Sequence, residues 1–134
     1  MNYRAMFDTN IVSDVLRFPH GKAATRLRAA GAEAFCLSAI VAGELRFGSA
    51  KLGSPRLTAQ VEGILQLIAT MPFEGVASRA YALVRTHLER SGRIIGPNDL
   101  FIAAHALALD LPLITANIGE FSRVPNLRVE NWLD

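Results

Sequence analysis

The chain has 134 residues, half of them hydrophobic and a fifth charged, which predicts one folded domain, 1–134, and argues against extensive disorder. Its formal charge is only +2, so charge alone does not indicate nucleic acid; twelve arginines against two lysines suit phosphate contacts and equally suit a codon bias. A single cysteine, Cys36, excludes an intramolecular disulfide and any Cys-based zinc site.

In chain order, residues 3–7 read as a strand that Asp8 stops. Ile11, Val12, Val15 and Leu16 recur at helical spacing over 10–18, and Pro19-His20-Gly21 breaks that helix. A second helix is expected over 22–30, closed by Gly31. Residues 34–37 form the next strand, with Cys36 a buried, inert thiol, and Ser38 caps a helix over 39–51. Gly53-Ser54-Pro55 turns into a helix over 56–71, with Val61, Ile64, Leu65 and Ile68 on one face. After Pro72, residues 73–76 are expected as a short edge strand, followed by an amphipathic helix over 77–91 with Arg85 and Glu89 one turn apart. Residues 98–110 are apolar nearly all round, the mark of a buried helix. Strands at 112–115 and 127–129 flank a helical turn around Glu120 and Phe121.

Strands alternating with helices predict an α/β fold: a three-layer α/β/α sandwich on a central, mainly parallel sheet. Ligands of such sheets gather beyond the carboxyl ends of the strands, at a topological switch point. No signal peptide fits the short apolar stretch before Asp8, and the most apolar run, 100–114, is too short to span a bilayer. A soluble, cytoplasmic protein is therefore expected.

Four short segments set a carboxylate or carboxamide at the end of an apolar run or inside an apolar helix. They are Phe7-Asp8-Thr9-Asn10, Ala42-Gly43-Glu44-Leu45, Pro97-Asn98-Asp99-Leu100 and Thr115-Ala116-Asn117. Asp8 has an alternative role as a helix cap, and Asp99 as an acid suited to a helix dipole. Glu44 has less excuse, because Arg46 is badly placed to pair with it. The coincidence of all three is more telling than any one of them. Buried carboxylates that lack partners are costly, and a hard divalent cation relieves them. Magnesium takes oxygen ligands and keeps several waters, so Asp8 and Asp99 as ligands, with Glu44 direct or through water, would satisfy it. Such a site can hydrolyse phosphodiesters. Thr9 and Ser13 could order water or phosphate there, or be structural.

Other chemistries lack their motifs: there is no dinucleotide or P-loop phosphate cradle and no G-x-S-x-G elbow. A haloacid-dehalogenase-like phosphatase would want an Asp where this chain has Asn10. His20, His87 and His105 lie in unrelated contexts, and His105 is expected as a hydrogen-bonded core residue.

Four blocks carry a resemblance: Phe-Asp-Thr-Asn-Ile-Val-Ser (7–13), Leu-Ser-Ala-Ile-Val-Ala-Gly-Glu-Leu-Arg-Phe-Gly (37–48), Ile-Gly-Pro-Asn-Asp-Leu-Phe-Ile-Ala-Ala-His-Ala (95–106) and Arg-Val-Pro-Asn-Leu-Arg-Val-Glu-Asn-Trp (123–132). Together, and collinearly over almost the whole chain, they resemble the VapC toxins of the PIN-domain ribonuclease family. The resemblance implies a Mg2+- or Mn2+-dependent endoribonuclease, the toxin half of a toxin–antitoxin pair. It also implies a VapB-type antitoxin whose C-terminal segment occupies the groove near the active site. A homodimer is implied, meeting promoter DNA only through the antitoxin, with RNA as substrate and tRNA among the candidates.

By position, Asp8, Glu44 and Asp99 match the family's three central acids, and Thr9 its small hydroxyl residue. The fourth position, commonly Asp, is Asn117 here, which could still hydrogen-bond a metal-bound water but brings no charge. Glu120, one turn later, is either the missing carboxylate or a surface residue. Arg17, Lys22, Arg26 and Arg28 are either RNA backbone contacts or solvated helix faces. Two alternatives stand beside this reading: a catalytically silent module that keeps the antitoxin interface, and a general RNA-processing nuclease of the same fold.

Overall fold

The computed structural model describes residues 2–134. Five strands, β1 (Ala5–Phe7), β2 (Phe35–Ser38), β3 (Ala69–Met71), β4 (Leu113–Ile114) and β5 (Val129–Glu130), form one sheet in the order β3-β2-β1-β4-β5. All four strand pairings are parallel, with Phe7 opposite both Leu37 and Ile114. Parallel neighbours need long crossovers, and the helices supply them. These are α1 (Thr9–Arg17), α2 (Lys22–Ala30), α3 (Ala39–Leu52), α4 (Pro55–Leu67), α5 (Gly75–Arg90), α6 (Pro97–Ala108) and α7 (Ile118–Phe121). The α/β/α sandwich is the expected one.

Strands covered on both faces read as continuous apolar runs, and β1, β2 and β4 are buried throughout. Phe7 stacks on Phe35 at 4.8 Å, and Trp132 meets both edge-on at 5.1 and 5.2 Å. Trp132 thereby ties the end of the chain to β1. Capping follows the sequence: Ser38 accepts from the Ile40 amide, Ser54 from the Leu57 amide, and Gly53 closes α3 at a left-handed φ of 63°.

One stretch differs from expectation. The helix expected over 56–71 stops at Leu67, and Ala69–Met71 instead pairs with β2, Cys36 opposite Ala69 and Ser38 opposite Met71. Residues 73–76, expected as an edge strand, lead into α5. Ile68 continues the helical apolar spacing, so nothing local marks the change; the backbone partners that β2 offers decide it. Pro72, without an N–H, then follows the short ladder. Phe73 packs edge-on against Phe101 and His105, both at 5.4 Å.

The chain leaves β1 towards β2 on one side and returns with β4 on the other, so the switch point lies beyond the carboxyl ends of β1 and β4. Among the described residues, no helix is long and apolar enough to cross a membrane.

Candidate active site

Asp8 follows β1 directly and is 4% exposed. Its Oδ1 accepts from the Thr9 amide at 2.7 Å, capping α1, while Oδ2 accepts from the Thr115 hydroxyl at 2.7 Å and the Asn10 side chain at 3.2 Å. Cap and site residue are therefore not alternatives: one oxygen holds the helix and the other faces the loop after β4. Burial raises the Asp8 pKa, hydrogen bonds from Thr115 and Thr9 pull it back, and the Glu44 charge raises it again.

Glu44 reaches Asp8's neighbourhood from the middle of α3. Its Oε1 accepts from the Thr9 hydroxyl at 2.6 Å and its Oε2 from the Asn98 side chain at 3.2 Å. Thr9 thus gives its amide to one acid and its hydroxyl to another. Arg46 turns away and forks onto Glu62, both contacts at 2.9 Å.

Asp99 stands in the first turn of α6, after Pro97. Burial, the hydrogen bond and charge of Glu120, and the charges of Asp8 and Glu44 push its pKa up to about 7. Burial alone would raise Glu120 as well. The Gly96 amide at 2.6 Å, Asp99, Asn117 and the Arg123 charge more than offset it and hold Glu120 below its ordinary value. The pair therefore keeps its proton on Asp99 and its negative charge on Glu120. Asn117 meets this group indirectly: its side chain donates to Glu120 and its amide to the Thr115 hydroxyl.

Four acids from β1, α3, α6 and α7 therefore share one electrostatic field at the switch point. The PIN domain family model matches residues 5–127 of the chain. The chain belongs to the PIN-domain family. Ribonuclease VapC2 of Rickettsia felis is 36% identical over 129 residues, covering 95% of this chain and 96% of that protein. The tRNA(fMet)-specific endonuclease VapC of Salmonella typhimurium is 36% identical over 98 residues, covering 72% of this chain and 74% of that protein. The crystal structure of DNA-bound VapBC from Salmonella typhimurium matches with a TM-score of 0.91 at 30% identity, over 97% of this chain and 98% of that one. This PIN domain is of the VapC type.

The donor set of this PIN domain is all oxygen, which suits a hard divalent cation. Among the described residues, no three His, Cys, Asp or Glu side chains lie close enough to grip one ion together. Asp8 and Asp99 with Glu44 acting through water needs no such three-fold grip. The arrangement fits one or two carboxylates and retained waters, the usual magnesium mode.

Thr115, Asn10 and Asn98 lie in the segments singled out from the sequence, but the sequence assigned none of them a part in the site. The available signal for Thr115 was a hydroxyl at the carboxyl end of an apolar strand; its use needed the pairing of β4 with β1. Asn10 accepts from the Ala116 amide at 3.0 Å and so joins α1 to the same loop. Beside the acids lies a groove of about 340 Å³, lined by Thr9, Ser13, Arg17, Glu44, Gln60 and Val61 among others. Two of the candidate RNA-contact arginines are engaged within the domain: Arg26 pairs with Glu130 at 2.9 Å, and Arg28 donates to the Pro19 carbonyl at 2.6 Å. Arg17 faces the groove, and Lys22 is exposed at the start of α2. Cys36 is buried, its thiol pushed up to about 12 by burial.

Proposed function

We propose that this PIN domain is a Mg2+- or Mn2+-dependent endoribonuclease, the toxin half of a VapBC pair. The observation that carries the reading is the convergence of Asp8, Glu44, Asp99 and Glu120 beyond the carboxyl ends of β1 and β4. The printed activities of the relatives support it, a ribonuclease and a tRNA(fMet)-specific endonuclease. The DNA-bound VapBC neighbour supports a VapB-type antitoxin as partner. A cytoplasmic homodimer that reaches promoter DNA only through that antitoxin belongs to the same proposal. One domain over the whole chain is part of the same reading.

In this reading Asp8 and Asp99 hold the cation, and Glu44 does so directly or through water. A bound divalent cation polarises a phosphoryl oxygen and lowers the pKa of a coordinated water. Asp99 would have to give up its proton to hold a cation, so affinity is expected to rise as pH approaches 7. Thr9 orients Glu44; Asn117 orients Glu120, which supplies the negative charge that Asn117 lacks. With that charge present, the motive for a silent module weakens. Arg17 on the adjoining groove meets the RNA backbone, and an exposed single-stranded loop, such as that of a tRNA, is the form of RNA that can reach it.

Cleavage of total tRNA by antitoxin-free protein, with Mg2+, Mn2+ or EDTA and with Asp99→Asn alongside, tests this. A discrete cut that needs both metal and Asp99 is expected. Folded protein that cuts no RNA with any metal would sink the reading.

A further inference from the structure

Two polar contacts join α6 to the α3 segment, one at mid-helix and one at the α3 cap. In the first, open to solvent, Asn98 donates to Glu44 Oε2 at 3.2 Å. In the second, His105 Nδ1 lies 2.8 Å from Ser38 Oγ, with His105 only 1% exposed and Ser38 fully buried. Ser38 lies six residues before Glu44, and His105 lies seven after Asn98 and six after Asp99. At helical rise these are spans of about 9 to 10.5 Å, so the two segments run antiparallel with two crossbars about that far apart.

Ser38 Oγ also accepts from the Ile40 amide at 3.1 Å, so one hydroxyl caps α3 and holds the ring. Burial lowers the His105 pKa, and the Pro72 backbone partly offsets that. Ser38 ends β2 opposite Met71 of β3, so the ring links α6 to the carboxyl ends of two strands at once. Phe73 closes on it edge-on at 5.4 Å.

We propose that Ser38 and His105 are a positioning pair that sets the separation of Glu44 and Asp99; the proposal rests on the metal-dependent reading of the site. The solvent-side crossbar is long, exposed and made to one of the acids themselves. The buried crossbar is shorter, shielded from water and separate from both acids. A pair that served stability alone would lower the melting temperature without altering cation affinity.

The test uses three variants of the antitoxin-free protein. His105→Leu keeps bulk and removes the hydrogen bond to Ser38, His105→Asn returns an amide at the reach of Nδ1, and His105→Gln carries its amide further out, at the reach of Nε2. Mn2+ binding is followed by calorimetry, and kcat and KM for RNA cleavage are measured beside it. His105→Leu is expected to weaken Mn2+ binding and lower kcat by about tenfold or more, as for groups that orient metal ligands, with KM unchanged. His105→Asn should recover most of both, and His105→Gln little. Should the leucine variant fail to fold, the difference between the Asn and Gln variants decides. Wild-type Mn2+ affinity in every folded variant overturns the proposal, whatever the melting temperatures do. Full Mn2+ binding and cleavage by Asp99→Asn would instead overturn the site reading, and this proposal with it.

Discussion

On the β1 side of the crevice, Asp8 answers burial with hydrogen bonds from the Thr9 amide, the Thr115 hydroxyl and the Asn10 side chain. On the α6 side, every influence on Asp99 raises its pKa: burial first, then the acids around it. Both are aspartates next to a helix start, yet one is solvated by the protein and the other is not. The first has hydrogen bonds that offset part of its burial, although its pKa still stands above the ordinary value. The second, with no such donors, has its pKa pushed up to about 7 and holds a proton below that pH.

Breaking the Asp99 side should have the larger effect. Asp99→Asn is expected to lower cleavage on the order of 10³-fold, the scale of losing one electrostatic element at a reacting centre, with the fold kept as judged by circular dichroism. Glu120→Gln should cost about 10- to 100-fold in activity. Asn117→Ala, which acts through Glu120, should cost less than that. Cleavage rates for the two, measured side by side, check whether the fourth negative charge belongs to Glu120.

On the Asp8 side the expected loss is in stability. Thr115→Val leaves the buried Asp8 oxygen without its shortest partner and should cost about 1.5–3 kcal/mol, the range for a hydrogen bond to a charged group, measured by urea unfolding. A pH scan of metal-free protein sharpens the contrast further. The folded pKa of Asp99 is raised from 3.8 to about 7, so its contribution is fully present below about pH 4 and is lost as pH rises through 7. Asp99→Asn removes that loss. Its melting temperature relative to wild type should therefore climb by about 2–5 °C between pH 5 and pH 8 without metal, and the gap should close when Mg2+ is added. A flat difference across that range would mean Asp99 carries no excess proton.

Most of the elements were legible because their signals are local. The α2 helix spans the expected residues, Ser38 and Ser54 cap as their positions suggest, and Arg85 pairs with Glu89 at 2.7 Å one turn away. The β3 strand was not legible, since Ile68 extends a helical apolar pattern and only the exposed edge of β2 turns Ala69–Met71 into a strand. At the site, Asp8, Glu44, Asp99 and Thr9 stood out as polar residues in apolar surroundings, and the structure brings them together. Asn117 stood out too, but it reaches the group only through Glu120 and Thr115.

The sequence by itself determined which acids this protein keeps among its apolar segments and where its helices begin, because caps and periodicity act over a few residues. Tertiary structure alone decided which of those acids share a proton, which are held by hydroxyls, and that Glu120 rather than Asn117 stands beside Asp99. Those outcomes depend on groups that are distant along the chain, Thr115 on Asp8 and Glu120 on the Gly96 amide. A pKa responds to everything within a few ångströms, and only the closed sheet determines what that is.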